Sequence, residues 1–313
     1  MASFSPDDWK ELYSPEDNPA KVRLIGIEFE GKPKPADKLD DKYKFYNGDY
    51  LREQGIGVEQ DEDGHKWYDE SKMWDKTNEE LKKLGLVYGG VGCDGGGREI
   101  VSCPDSFTLF EQGGSERLKN LIDFLKESTT ADVASGTHFH ISKLETDVKK
   151  TWNNIYWFCM VFGPQLQKIF GRISGWAHIP LPENYFTERH DCDEKIFEAP
   201  HKQPIKTQSP GYNKLSFVVE RENRYEFRAA KASHDLDEIL AWAEIYHSIV
   251  EICANGYIQD VPFGDILRGK YARAYINKLN KESKERKITP AERAMRISSV
   301  GYVRLSERPR ILK

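Results

Sequence analysis

The chain has 313 residues, of which 38% are hydrophobic and 31% charged, and a formal net charge of −5. That is enough apolar material to bury a core in one large domain or two modest ones, and the charge excludes a protein that is basic all over and coats nucleic acid. No apolar run approaches membrane-spanning length, and the opening Met-Ala-Ser-Phe-Ser-Pro-Asp-Asp lacks the basic and apolar regions of an export signal, so a soluble, cytoplasmic protein with no membrane partner is expected.

Residues 1–20, rich in Pro, Asp and Ser, read as a leader that orders on docking, and a main domain is expected over 21–260. Its first strand, 22–30, contains Gly26-Ile-Glu-Phe-Glu30. Successive strand side chains alternate, so Glu28 and Glu30 share one face and Ile25, Ile27 and Phe29 the other. Residues 31–85 form a polar, aromatic insertion with Pro33, Pro35, Tyr43, Tyr46, Tyr50 and the acidic run 59–63. A helix near 78–84 closes it, with Gly85 as the stop. Strands are expected at 86–91 and 98–103, joined as a hairpin through the Gly-rich turn 92–97. No Gly-Lys-Ser/Thr follows those glycines, so tight turns explain them better than a phosphate cradle.

Leu118, Leu121, Ile122 and Leu125 give 115–126 the spacing of an amphipathic helix. The next strand is Thr137-His-Phe-His-Ile-Ser142, with His138 and His140 on one face and Thr137, Phe139 and Ile141 on the other. A long helix over 148–170, rich in aromatics such as Trp152, Tyr156, Trp157 and Phe158, should be buried. Residues 171–210, with five prolines, read as an excursion over the polar face, long enough to be a lid. A second hairpin pairs 215–220 with 224–230, turning at 221–223, and its later strand places Arg224, Glu226 and Arg228 together, opposite Tyr225 and Phe227. Asp235 and Glu238 form a capping box for a helix whose inner face is Leu236, Ile239, Leu240, Ala243, Tyr246, Val250 and Cys253, ended by Gly256. The order of elements gives an α+β fold, a sheet of antiparallel hairpins with helices on one face.

Residues 261–313 form a basic helical segment: 268–313 carry 14 Lys and Arg against 4 Glu, a charge of +10 that leaves −15 for the rest. It serves either as a solvated amphipathic helix or as a dock for an acidic macromolecule, including nucleic acid. The five cysteines, 93, 103, 159, 192 and 253, contain no Cys-x-x-Cys pair and are expected as reduced, mostly buried thiols. The remaining histidines, 65, 178, 190, 201, 234 and 247, have no ligand spacing.

Taken singly, Glu-x-Glu, His-x-His and Arg-x-Glu-x-Arg are each satisfied by a half-solvated strand or a cross-strand ion-pair ladder. Together they supply oxygen ligands for a hard divalent cation and cationic donors for a phosphate. Ala134-Ser-Gly-Thr-His-Phe-His-Ile-Ser142 resembles the Gly-x-His-x-His-x-Ser signature of glutamine synthetase, and Arg224-Tyr-Glu-Phe-Arg228 that superfamily's Arg-x-Glu-x-Arg strand. Glu28-Phe-Glu30 is similar to its first metal-binding strand, and 94–104 to the Asp-Gly-Ser…Glu-Ile-x-Ser-x-Pro stretch of the stand-alone amidoligases, the carboxylate-amine ligases of the same fold.

The resemblance implies a glutamine synthetase-like curved antiparallel sheet in a ligase catalytic domain over 21–260. It implies that Glu28, Glu30, Glu99 and Glu226 hold two Mg²⁺ or Mn²⁺ ions, with His138 completing the site of Glu28 and Glu226. His140 and Ser142 would contact ATP, and Arg224 and Arg228 would neutralise its γ-phosphoryl group, with Glu226 between them in the catalytic strand. Arg172 and Arg221 are further candidates to clamp a phosphate or carboxylate, the alternative being surface arginines in rim ion pairs. The implied reaction joins a carboxylate substrate to an amine, an amino acid, peptide or modified macromolecule, through an acyl phosphate. Only some twenty residues precede the first strand, too few for glutamine synthetase's small β-grasp domain, so its ring-shaped assembly is not expected, and Gly96 stands where the amidoligases have the Ser of Asp-Gly-Ser. The competing readings are a metal-dependent hydrolase on the same Glu/His cluster and a non-catalytic polyanion-binding protein of this fold.

Overall fold

The computed structural model describes residues 22–94, 97–131, 135–172, 217–221, 223–255 and 263–285. The leader, nearly all of the 171–210 excursion, Gly256 and the segment from 286 onward lie outside the described residues. The fold is mixed α and β, built on one open antiparallel sheet. Its centre is β1 (Leu24–Pro33), which alternates as expected but runs three residues past Glu30. β1 pairs on one side with β5 (Gly97–Val101), which pairs in turn with β4 (Gly90–Asp94). On the other side come β8 (Gly136–Ser142), β10 (Arg224–Lys231) and β9 (Val218–Glu220). The short strands β6 (Asp105–Ser106) and β7 (Thr129–Thr130) also pair with β1.

β4 begins at Gly90, later than the apolar run from 86 suggests, because pairing with β5 matches Gly90 to Val101 and Asp94 to Gly97 and leaves Leu86, Val87 and Tyr88 before the ladder. In the insertion, helix α1 (Gly48–Glu53) precedes the hairpin β2 (Val58–Gln60) and β3 (Lys66–Tyr68), and α2 (Glu70–Lys83) is twice the length expected of it. Asp69 caps α2, its carboxylate accepting from the Ser71 N–H, and Gly85 follows with φ 71°.

The apolar face of the sheet is sealed. Ile25, Ile27, Phe29, Phe139, Ile141, Tyr225 and Phe227 are all buried. Against it lie α5 (Val148–Val161), α6 (Gly163–Phe170) and α7 (Leu236–Asn255): Tyr225 stacks on Trp152 with centroids 6.2 Å apart, and Phe227 stacks on Tyr246 at 4.5 Å. Phe139 meets Tyr246 at 5.2 Å and Trp242 edge-on at 6.4 Å. The single helix expected over 148–170 is two helices, broken at Phe162 just before Pro164, whose missing N–H removes a ladder bond. Between β6 and β7, α3 (Phe107–Glu111) precedes α4 (Glu116–Ser128), which buries the expected leucines and adds Phe124.

The box expected at α7 is rewired through Ser233. Asp235 N–H donates to Ser233 Oγ at 3.1 Å, and that hydroxyl donates to Glu238 Oε2 at 2.8 Å, so Glu238 reaches the cap through an intermediary. Glu244 Oε2, buried in α7, accepts from the Ala272 N–H in the first turn of α8 (Lys270–Glu285) and so docks that helix. The described start of the basic segment thereby packs on α7, with Ala272, Tyr275 and Ile276 buried. Cys103, Cys159 and Cys253 are buried thiols, and no helix of the described residues is long and apolar enough to cross a membrane.

Candidate metal and anion site

Register brings the sequence motifs together. β1 pairs with β8 so that Glu28 faces His138, and β10 pairs with β8 so that Glu226 faces His140 and Arg224 faces Ser142. β5 places Glu99 opposite Glu30. Cross-strand partners project to the same side, so the polar residues of four adjacent strands converge on the face opposite the core.

At the centre sits His138, only 1% exposed. Its Nδ1 is 2.5 Å from Glu28 Oε1 and its Nε2 is 3.1 Å from Glu30 Oε1. Burial would lower the affinity of this imidazole for its second proton, but the flanking carboxylates outweigh burial and push its pKa up to about 10. Burial would raise Glu30, yet His138 and Arg172 hold it down at about 2, and Glu28 lies well below the usual carboxylate range because His138 and His140 overcome its desolvation. Arg172 Nη1 lies 2.8 Å from His138 Nε2, a geometry that suits an unprotonated Nε2; two anions against one guanidinium favour the imidazolium.

His140 links two strands. Arg224 Nε donates to its Nδ1 at 3.1 Å, which leaves the Nε2 proton for Glu28 Oε2 at 3.2 Å. Arg224 also donates to Asn223 Oδ1 at 3.2 Å. Glu226 is held by two arginines, Arg221 Nε donating to its Oε2 at 2.6 Å and Arg228 Nε lying 3.5 Å from its Oε1. Desolvation raises Glu226, but the neighbouring His140 and Arg221 keep it low.

Arg172 is placed inside this cluster. Gly171, at φ 70°, ends α6 and bridges to Ala230, which points the next residue into the sheet. β10 slips by one residue against β8 between Phe227 and Ala230, and within that bulge Arg228 O accepts from Arg172 Nη1 at 2.9 Å. Arg172 Nη2 donates to Glu30 Oε2 at 2.8 Å, where the Gly136 N–H also donates at 2.5 Å. Gly136 carries no side chain for a steric reason: a Cβ there would lie 2.9 Å from Arg172 Nη2 and closer still to Nη1 and Cζ. Sequence reasoning read Gly136 only as part of a motif and missed this notch, because the arginine that fills it arrives from 36 positions later.

Ser142 is engaged in the sheet: its Oγ accepts from Leu24 N–H at 2.9 Å and its carbonyl accepts from Arg23 Nη1 at 2.8 Å. Ser102, in the 94–104 motif, likewise accepts from Ile27 N–H at 2.9 Å.

Among the described residues, Glu28, Glu30 and His138 each present a ligand atom such that all three lie within 4.8 Å of one another. Glu226 Oε1 is 3.9 Å from His138 Nδ1, while Glu99 stands beside Glu30 on β5 outside that triad. Glu30 Oε1 is buried and receives no aligned hydrogen bond. Two carboxylates, and an imidazole once the ion displaces its second proton, fit a hard divalent cation such as Mg²⁺ or Mn²⁺. No protein-family model matches this chain, and no curated protein matches it.

Proposed function

We propose that the chain is an ATP-dependent, Mg²⁺- or Mn²⁺-requiring carboxylate-amine ligase of the amidoligase kind, with its catalytic sheet folded as in glutamine synthetase. The observation that carries this reading is the meeting of a three-ligand acidic cluster with Arg221 and Arg228, which converge on Glu226 in the next strand but one. A hydrolase needs the acidic cluster alone; flanking arginines suit a group whose charge moves during phosphoryl transfer.

In the reaction, a substrate carboxylate oxygen forms a bond to the γ-phosphorus of ATP as the bond to ADP breaks. An amine nitrogen then attacks the acyl carbon, phosphate leaves with the bonding pair, and the nitrogen loses a proton. Glu28, Glu30 and His138 would hold the cation, with Glu226 adjoining them. When bound, that cation neutralises phosphate oxygens as a Lewis acid. Arg221 and Arg228 keep Glu226 ionised and in place and offer positive charge to the transferred phosphoryl group. Arg224 fixes the His140 tautomer, so that its Nε2 proton is aimed at Glu28.

Calorimetric titration of a non-hydrolysable ATP analogue into the full chain, with and without Mg²⁺, tests the reading. Binding should require the metal and weaken at least about tenfold, roughly 1.4 kcal/mol, in Glu226→Gln. A folded wild type that binds no nucleotide would leave the reaction without its energy source and defeat the proposal. Binding would justify screening acids and amines for ADP release.

A further inference from the structure

We propose that Arg172 is a built-in cation closing the Glu30 side of the cluster, so that the chain takes one divalent ion, on Glu28, Glu30 Oε1 and His138, in place of the two that its resemblances imply. This rests on the ligase reading only in taking that triad for a metal site.

Free carboxylate oxygen limits the count. Glu30 Oε2 already has two donors, Arg172 Nη2 at 2.8 Å and Gly136 N–H at 2.5 Å. Glu226 has a guanidinium on each oxygen, Arg221 on Oε2 and Arg228 on Oε1. Glu99 falls outside the set of ligand atoms that approach one another. Glu30 Oε1, buried, out of reach of any guanidinium hydrogen bond and facing only the His138 Nε2 at 3.1 Å, is the oxygen left for an ion that His138 shares.

Arg172 is poorly suited to swing aside. Its side chain and that of Glu30 are 4% and 8% exposed, and its head is held by Glu30 and by Arg228 O in the bulge. Its backbone follows directly on the Gly171 to Ala230 bridge, and the Gly136 notch is shaped to the guanidinium. Three guanidiniums, from Arg172, Arg221 and Arg228, thus face Glu30 and Glu226 before any ion arrives. A second dication would enter next to this positive charge, the Arg172 part of it buried.

The test counts Mn²⁺ on the full chain without nucleotide, by equilibrium dialysis with electron paramagnetic resonance. Wild type and Arg172→Lys should each bind one isolated ion, and Arg172→Met should bind two, with the broadened spectrum of a spin-coupled pair, because Glu30 Oε2 then loses its guanidinium, keeps only the Gly136 N–H and can reach a second ion. Two ions on the wild type, or one ion on Arg172→Met, would overturn the proposal while leaving the metal site intact. No Mn²⁺ on folded wild type would remove both this inference and the ligase reading. Should Arg172→Met not fold, Gly136→Ala, which crowds the guanidinium out of its notch, is read the same way, and the wild-type count alone suffices to overturn the proposal.

Discussion

Gly136 and Arg172 occupy one another's space, which makes their energetics non-additive in a calculable way. Arg172→Ala strips the buried Glu30 of its guanidinium, and losing one partner of a buried pair costs about 3–5 kcal/mol. Gly136→Ala inserts a methyl group 2.9 Å from Arg172 Nη2 and closer to its Cζ, so it must expel the same guanidinium or strain the strand. Overpacking costs about 1–3 kcal/mol, and displacement of the guanidinium adds part of the pair's loss. With Arg172 truncated, the added methyl group meets empty space, and Gly136 has no positive φ to forbid alanine. Replacing a strand glycine then returns about 0.5–1 kcal/mol. The double variant should therefore be no less stable than Arg172→Ala alone, a coupling of about 2–4 kcal/mol between the two sites. Urea midpoints of the four proteins, at equal m-values, measure the cycle. Single-variant costs that add to within about 0.5 kcal/mol would show that the guanidinium is not lodged against Gly136.

Acid should weaken the fold through histidines remote from the site. His247 is stacked on Phe107 with centroids 3.5 Å apart, and burial, with a smaller contribution from Arg23 opposed by Glu251, pushes it down to about 4. The unfolded chain, with a histidine pKa of about 6.5, binds the extra proton first, so stability present above that value is lost as pH falls towards 4, about 2 kcal/mol of it by pH 5. His247→Phe, which keeps the stack, should flatten the decline in stability between pH 7 and 5 by that amount; an unchanged slope in urea titrations would show that His247 is not buried neutral. Tyr225 donates its hydroxyl to Glu145, a carboxylate that desolvation raises but that this bond and Arg23 bring below its ordinary range. Tyr225→Phe should cost about 1.5–3 kcal/mol, as for a hydrogen bond to a charged group, with m unchanged; a loss under 0.5 kcal/mol would mean that Arg23 alone satisfies Glu145.

Alternation along β1, β8 and β10 was readable in the residues themselves, because a strand turns successive side chains to opposite faces whatever it pairs with. Glu28, Glu30, His138, His140, Arg224, Glu226 and Arg228 thus declared a common polar face before any pairing was known, and Leu118, Leu121, Ile122 and Leu125 declared the buried side of α4. Pro164 also carried its message in the chain, since a residue without N–H interrupts a helix in any context, although the aromatic run around it suggested one long helix. Other features had no local cause. β4 starts at Gly90 because β5 fixes its register, and the Asp235 cap passes through Ser233 because that hydroxyl happens to lie between Asp235 and Glu238.

Arg172 is the clearest case of what lay beyond the sequence. From the sequence it was either a clamp for a phosphate or carboxylate or a surface arginine in a rim ion pair, and only the Gly171 turn, the β10 bulge and the Gly136 notch, brought together by the sheet, turn it onto Glu30. Residue type and spacing determined which acidic and basic groups this chain carries and on which face of its strands. Which carboxylate meets which cation depended on strand register and chain reversal, contacts between residues more than a hundred positions apart that no local pattern encodes.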